Sequence, residues 1–290
     1  MPLLLLLACE TEQLSQSWQI DRLRVLAVAA EPAEPLPGDV VTFSALVVSP
    51  VDPWAGTAWM VCLDPTDTSY GCQIDASALD EDADLEDLIA AGFVGFDPYW
   101  PPVWEVPSDA LDDLAEEDQR EGKSAFVNLA AFHEDPDGEP DPETGFPAID
   151  AEDVEAAFKR VPVSRAPTPN HNPAIATLRV DGVDVAPGTL LVVDAGQPYT
   201  IEVVLADDAV ETYSFVNRDG AEEERTEEPY FTFYAQEGSF DFGQTYAVWP
   251  DTEVDWVAPS SPEIEEQSLW AVVRDRRGGM GWTELRLRVR

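Results

Sequence analysis

RLRVLAVAAEPAEPLPGDVVTFSALVVSP, residues 22–50, decides how the rest of the chain is read. An apolar run broken by Glu31-Pro32 leads into a Pro/Gly/Asp turn, and a second run returns from Val40. In that return Val41, Phe43, Ala45 and Val47 share one side, and Val40, Thr42, Ser44 and Leu46 the other. A period of two is the mark of a strand with one face buried. GTAWMVCLDP (56–65) continues it, with Trp59 and Val61 opposite Met60 and Cys62.

The same order returns 150 residues later in NPAIATLRVDGVDVAPGTLLVVDAGQPYTIEVVLADD (172–208), and PGDVVTFSALVVSP (37–50) aligns best with AGQPYTIEVVLADD (195–208). Such an echo argues for two related modules. APTPNHNP (166–173), with three prolines and no apolar period, is the expected linker. Many short strands between Gly/Pro/Asp turns predict an all-β chain of two β-sandwiches in tandem. YFTFYAQEGSFDFG (230–243) alternates as a core strand, and LWAVVRD and WTELRLRV form a closing hairpin whose glycines serve positive backbone angles.

Residues 73–122 break the pattern. SALDEDADLEDLIAAG (77–92) spaces Leu79, Leu85, Leu88 and Ile89 as a short acidic helix ended by Gly92. FVGFDPYWPPVWEVP and a second acidic stretch follow. We expect an acidic, partly helical insertion decorating the first module.

Composition narrows the function. Fifty-eight Asp+Glu against 16 Lys+Arg leave a formal charge of -42 over 290 residues. Nucleic acid is excluded as a partner, because binding it needs a basic footprint. The chain begins MPLLLLLACETEQLSQ, too short an apolar run to span a bilayer. Leu6-Leu7-Ala8-Cys9 resembles the lipobox of bacterial lipoproteins, whose cysteine is lipidated and becomes the first mature residue. A leader should open with basic residues, and none precedes Cys9, so the true start is expected upstream. Cys62 and Cys72 lie ten apart across a turn-rich segment. In an exported protein they are a candidate disulfide; two buried thiols or half a metal site are the rival readings.

With LLAC at the leader, RLRVLAVAAEPAEPLPGDVVTFSALVVSP in the first module, NHNPAIATLRVDG at the junction and SLWAVVRDRRGGMGWTELRLRVR at the end, the chain resembles exported lipoproteins of myxobacteria and related deltaproteobacteria that carry tandem immunoglobulin-like or PKD-like domains. The resemblance implies immunoglobulin-like modules and an envelope address. It divides the chain into a leader remnant and tether (1–17), a module with its insertion (18–166) and a second module (167–290).

Chemistry-bearing motifs are sparse. His133 and His171 are the two histidines, and neither stands near a nucleophile motif. His133 is expected as a solvated strand-end residue and His171 as a turn or interface residue. Asp135, Asp137, Glu139, Asp141 and Glu143 alternate through DPDGEPDPE, where a loop could wrap their oxygens around Ca2+. Asp80, Glu81, Asp82 and Asp84 are a second, poorer set. Phe96, Tyr99, Trp100 and Trp104 are candidates for contact with a partner protein or glycan, against the rival reading of a small core anchoring the insertion. The sequence therefore predicts a non-enzymatic, lipid-anchored envelope or surface protein acting as a binding or structural module among envelope proteins. The alternatives are a carbohydrate-binding or carbohydrate-processing accessory protein using the aromatic insertion, and a subunit of an extracellular assembly.

Overall fold

The computed structural model describes residues 16–50, 56–63, 85–135, 138–140, 142, 148–216, 220–241 and 245–290. The first module contains β1 (Arg24–Glu31), β2 (Val40–Val48), β3 (Gly56–Leu63), α1 (Leu85–Ala90), β4 (Phe93–Asp97), β5 (Val103–Glu105), β6 (Lys123–Glu134) and β7 (Ile149–Val163). They form two antiparallel sheets, β1-β2-β5 and β4-β3-β6-β7. One core lies between them: Val28, Ala30, Val41 and Phe43 meet Trp59, Val61, Val127, Leu129, Val161 and Val163, with Phe43 stacked on Trp59 at 5.8 Å. The inward set of β2 and β3 is the one the alternation predicts.

The expected insertion is corrected in part. Residues 93–105 are not decoration, because β4 pairs with β3 and β5 with β2, one strand for each sheet. Ala110 and Leu111 then close the core. The strands were hidden by prolines and glycine, which weaken a strand signal and are tolerated at sheet edges. The helix survives as α1, ended by Gly92 at φ +101°, where a Cβ would lie 2.4 Å from the Val61 carbonyl oxygen. Residues 73–84 lie outside the described set.

The second module comprises β8 (Ile175–Val180), β9 (Val183–Val185), β10 (Leu190–Val193), β11 (Pro198–Leu205), β12 (Thr212–Val216), β13 (Glu222–Thr226), β14 (Tyr230–Ala235), β15 (Ser239–Phe240), β16 (Tyr246–Val248), β17 (Glu253–Val257), β18 (Glu266–Arg274) and β19 (Met280–Val289). Its sheets run β10-β19-β18-β14-β16 and β15-β17-β11-β8-β9, and β12-β13 is a separate hairpin. Only β10-β19 among the described pairs of named strands is parallel. Ile201, Phe231, Phe233, Trp256, Leu269, Leu285 and Leu287 fill the core. Trp18 joins this core from the other end of the chain, edge-on to Phe240 at 5.2 Å. The backbone on either side of Gln19 ties to Ala235 through two hydrogen bonds of 3.1 Å.

Both faces of β1 are buried. Val28 and Ala30 enter the first core, whereas Leu26 and Ala27 join Ile20, Val48, Trp270 and Val272 in a separate cluster between the modules. A register shift between Val25 and Ala27 adjusts the strand to both surfaces. The consecutive apolar letters of RVLAVAA reflect this double contact.

Candidate functional site

The junction of the modules concentrates the buried charge of the described residues. Its centre is the β18–β19 turn, Asp275 to Gly279. Asp275 is 1% exposed, and its Oδ1 accepts the backbone N–H groups of Arg277 (2.7 Å), Gly278 (2.9 Å) and Gly279 (2.9 Å). Asn170 Nδ2 donates to its other oxygen at 2.8 Å. Burial pushes the Asp275 carboxyl above its ordinary range, and these hydrogen bonds oppose the shift. Two glycines serve close approach here rather than a positive φ. A Cβ on Gly279 would stand 2.1 Å from Asp275 Oδ2, and one on Gly281 2.2 Å from the Pro173 carbonyl oxygen. Gly278, at φ +122°, meets the conformational expectation.

Arg277 carries the network across the junction. Its guanidinium reaches Glu227 (3.1 Å) and Glu211 (3.4 Å) in the second module and Glu34 (3.4 Å) in the first, and lies 4.2 Å from the Tyr213 ring centroid. Glu34 also accepts Ser164 Oγ and the Asn170 N–H. Burial raises the Glu227 carboxyl, and Arg277 offsets part of that. Lys159 of β7 is 3% exposed and donates to the Gly278 carbonyl. Desolvation lowers its ammonium to about 8, against the raising influence of Asp275.

The linker is built into this junction. Asn172 donates to the Ala30 carbonyl (2.7 Å) and to Glu31 (2.9 Å), and accepts the Met280 N–H (2.9 Å). His171, expected as a turn or interface residue, is exposed and meets Glu211 through Nδ1 at 2.7 Å. Beside it opens a cleft of about 580 Å³, whose walls include Arg120, Pro162, Pro167, Tyr213, Phe215 and Arg277 and no histidine or cysteine among the described residues. Two signals could have found the network. Lys159 shares the inward parity of Val161 and Val163, and it is one of only two lysines in the chain.

His133 is not solvated. Its Nε2 lies 3.2 Å from Ser49 Oγ and 3.3 Å from Asp153 Oδ2, with the side chain 14% exposed. Both partners address the same ring nitrogen, so this serine, histidine and aspartate form no proton relay, which needs one partner on each nitrogen.

Among the expected partner-contact residues, Phe96 is buried against Phe132 at 5.3 Å, and Trp100 meets Phe93 edge-on at 5.5 Å. These rings form a small cluster with Met60 and Leu88 on the back of β3. Trp104 packs on the first core, leaving Tyr99, at 52%, as the exposed member. Cys62 stands on β3, on the side opposite Trp59; Cys72 and Cys9 lie outside the described residues. Of the calcium set, Asp135 and Glu139 are described, whereas Asp137, Asp141 and Glu143 are not. Asp135 closes a turn by accepting the Gly138 N–H at 3.1 Å. No group of three metal-ligating side chains occurs among the described residues.

No family model and no curated protein matches the chain. Among solved structures it is similar to a chain from a study of host cell surface retention of a 1.5-MDa bacterial ice-binding adhesin. Identity is 10%, the TM-score is 0.22, and the match covers 95% of this chain and 67% of that one. At that TM-score the likeness carries no argument. What stands on the structure is a β-rich chain of several antiparallel sheets without catalytic-looking features among the described residues.

Proposed function

We propose that the chain is a non-enzymatic, lipid-anchored envelope protein whose two immunoglobulin-like modules serve together as one stiff binding or structural unit. The observation that supports this reading most is how the junction uses its buried ionisable groups. Glu34, Lys159, Glu227, Asp275 and Arg277 hold turn, linker and modules to one another, as a stiff spacer requires. An anchor at Cys9 would set this unit out from the membrane, and several acyl chains would hold it firmly.

The test is the mass of the N-terminal peptide from the membrane fraction of a bacterial host that expresses the protein from its native gene. Acylated Cys9 as first residue, with Cys9→Ala moving the protein to the soluble fraction, is the expected result. A soluble chain that keeps Met1 and an unmodified Cys9 overturns the anchoring. The same digest, run without reductant, should yield Cys62 and Cys72 in one linked peptide.

A further inference from the structure

Aromatic and cationic side chains meet where β14, β16 and the β18–β19 turn come together. The rings of Tyr230 and Tyr246 lie 5.5 Å apart, and the backbone N–H of Trp249 donates to the Pro229 carbonyl at 2.9 Å, which brings the Trp249 backbone next to the start of β14. Tyr246 is 46% exposed and Trp249 40%. Trp249 is the exposed tryptophan among those described; the others are buried or half-buried. Arg274 and Arg276 each place the guanidinium carbon 5.8 Å from the Tyr230 centroid. Arg274 is occupied, donating to Thr232 and to the Leu26 carbonyl. Arg276 is exposed, holds φ at +72°, and has no carboxylate partner among the described residues. A strained non-glycine backbone at an exposed arginine is a feature that surrounding structure must maintain.

We propose that this corner is a binding site for neutral sugar rings. The choice of ligand follows from charge and from the faces on offer. A chain of net charge -42 repels anionic polymers. Locally, the guanidinium groups of Arg274 and Arg276 and the exposed carboxylates of Glu228 and Asp251 offset one another, so the corner itself favours neither sign. An uncharged ligand remains, and exposed Tyr and Trp rings present a negative π face to the C–H bonds of a pyranose. Arg276 can donate to sugar oxygens, while Glu228 and Asp251, both exposed and two positions along the chain from Tyr230 and Trp249, can accept from hydroxyls. The site differs from the aromatic segment 93–107, whose rings are mostly spent on packing. It does not depend on the anchor, so either reading can fail alone.

The full chain should be applied to an array of neutral glycans, with polygalacturonate and polylysine alongside as charged probes. One or more neutral glycans should bind with little salt dependence. Trp249→Ala and Tyr246→Ala should each weaken binding about tenfold, the scale of one lost ring contact. Arg276→Ala should weaken it too, and Val183→Ala, at an exposed position of β9, should leave it unchanged. Silence across the neutral array, binding confined to the charged polymers, or neutral binding untouched by all three corner variants would each overturn the proposal. Where Trp249→Ala lowers the melting temperature, Tyr246→Ala and Arg276→Ala decide.

Discussion

Lys159 is the residue at which burial and charge compete most directly. It sits among core positions of β7 with a backbone carbonyl as its bonded partner, and desolvation brings its ammonium from 10.5 to about 8. Below about pH 8 the group is protonated in both folded and unfolded chains, and the folded state carries the full desolvation penalty. Between about 8 and 10.5 the unfolded chain holds the proton and the folded chain does not, so stability rises with pH across that window. The gain amounts to about 3 kcal/mol. Lys159→Met keeps the volume and removes the proton. Urea midpoints measured from pH 7 upward should therefore rise in the wild type and stay flat in the variant. Parallel profiles would mean that Lys159 titrates as an ordinary surface lysine.

At the scale of elements, the segment before β1 clamps the modules. Trp18 lies in the second core although the strand it precedes belongs to the first, and Ile20 enters the cluster between them. Residues 18–20 thereby tie the start of the first module to β14 of the second. Trp18→Ala should cost about 3–5 kcal/mol, the usual loss for a buried tryptophan. Circular dichroism melts against urea would show it. A loss within 0.5 kcal/mol, the range of surface substitutions, would mean that the segment is not docked in solution.

For the whole molecule, an apolar cluster shared by the two modules and a hydrogen-bonded linker connect the two cores, and we expect them to unfold as one cooperative unit. Separate modules with a loose linker would unfold independently. Calorimetry of the wild type should show a single transition. Arg277→Ala leaves Glu34, Glu211 and Glu227 without their common cation, which typically costs about 3–5 kcal/mol for a buried charge network. With Asn172→Ala added to cut the linker bonds, the transition should split in two. Two well-separated transitions in the wild type would contradict the coupling.

Strands such as β1, β2, β3, β11, β14, β18 and β19 and the inward faces of β2 and β3 are legible in the sequence, because alternation is a local property that one buried face imposes on a strand. Val41, Phe43, Trp59 and Val61 were readable for that reason. Gly92 at the end of its helix was legible too. What β1 contacts on its second face, and that Asn170 and Asn172 lock the linker, depends on residues more than a hundred positions away. The same holds for β4 and β5, whose prolines and glycine obscure a pattern that only pairing with β3 and β2 completes. Arg277 in a glycine-rich turn looks like surface charge until folding brings Glu34, Glu211 and Glu227 around it. Local periodicity fixes which faces are apolar; which surfaces then meet is a matter of long-range packing, and that was decided by the tertiary structure alone.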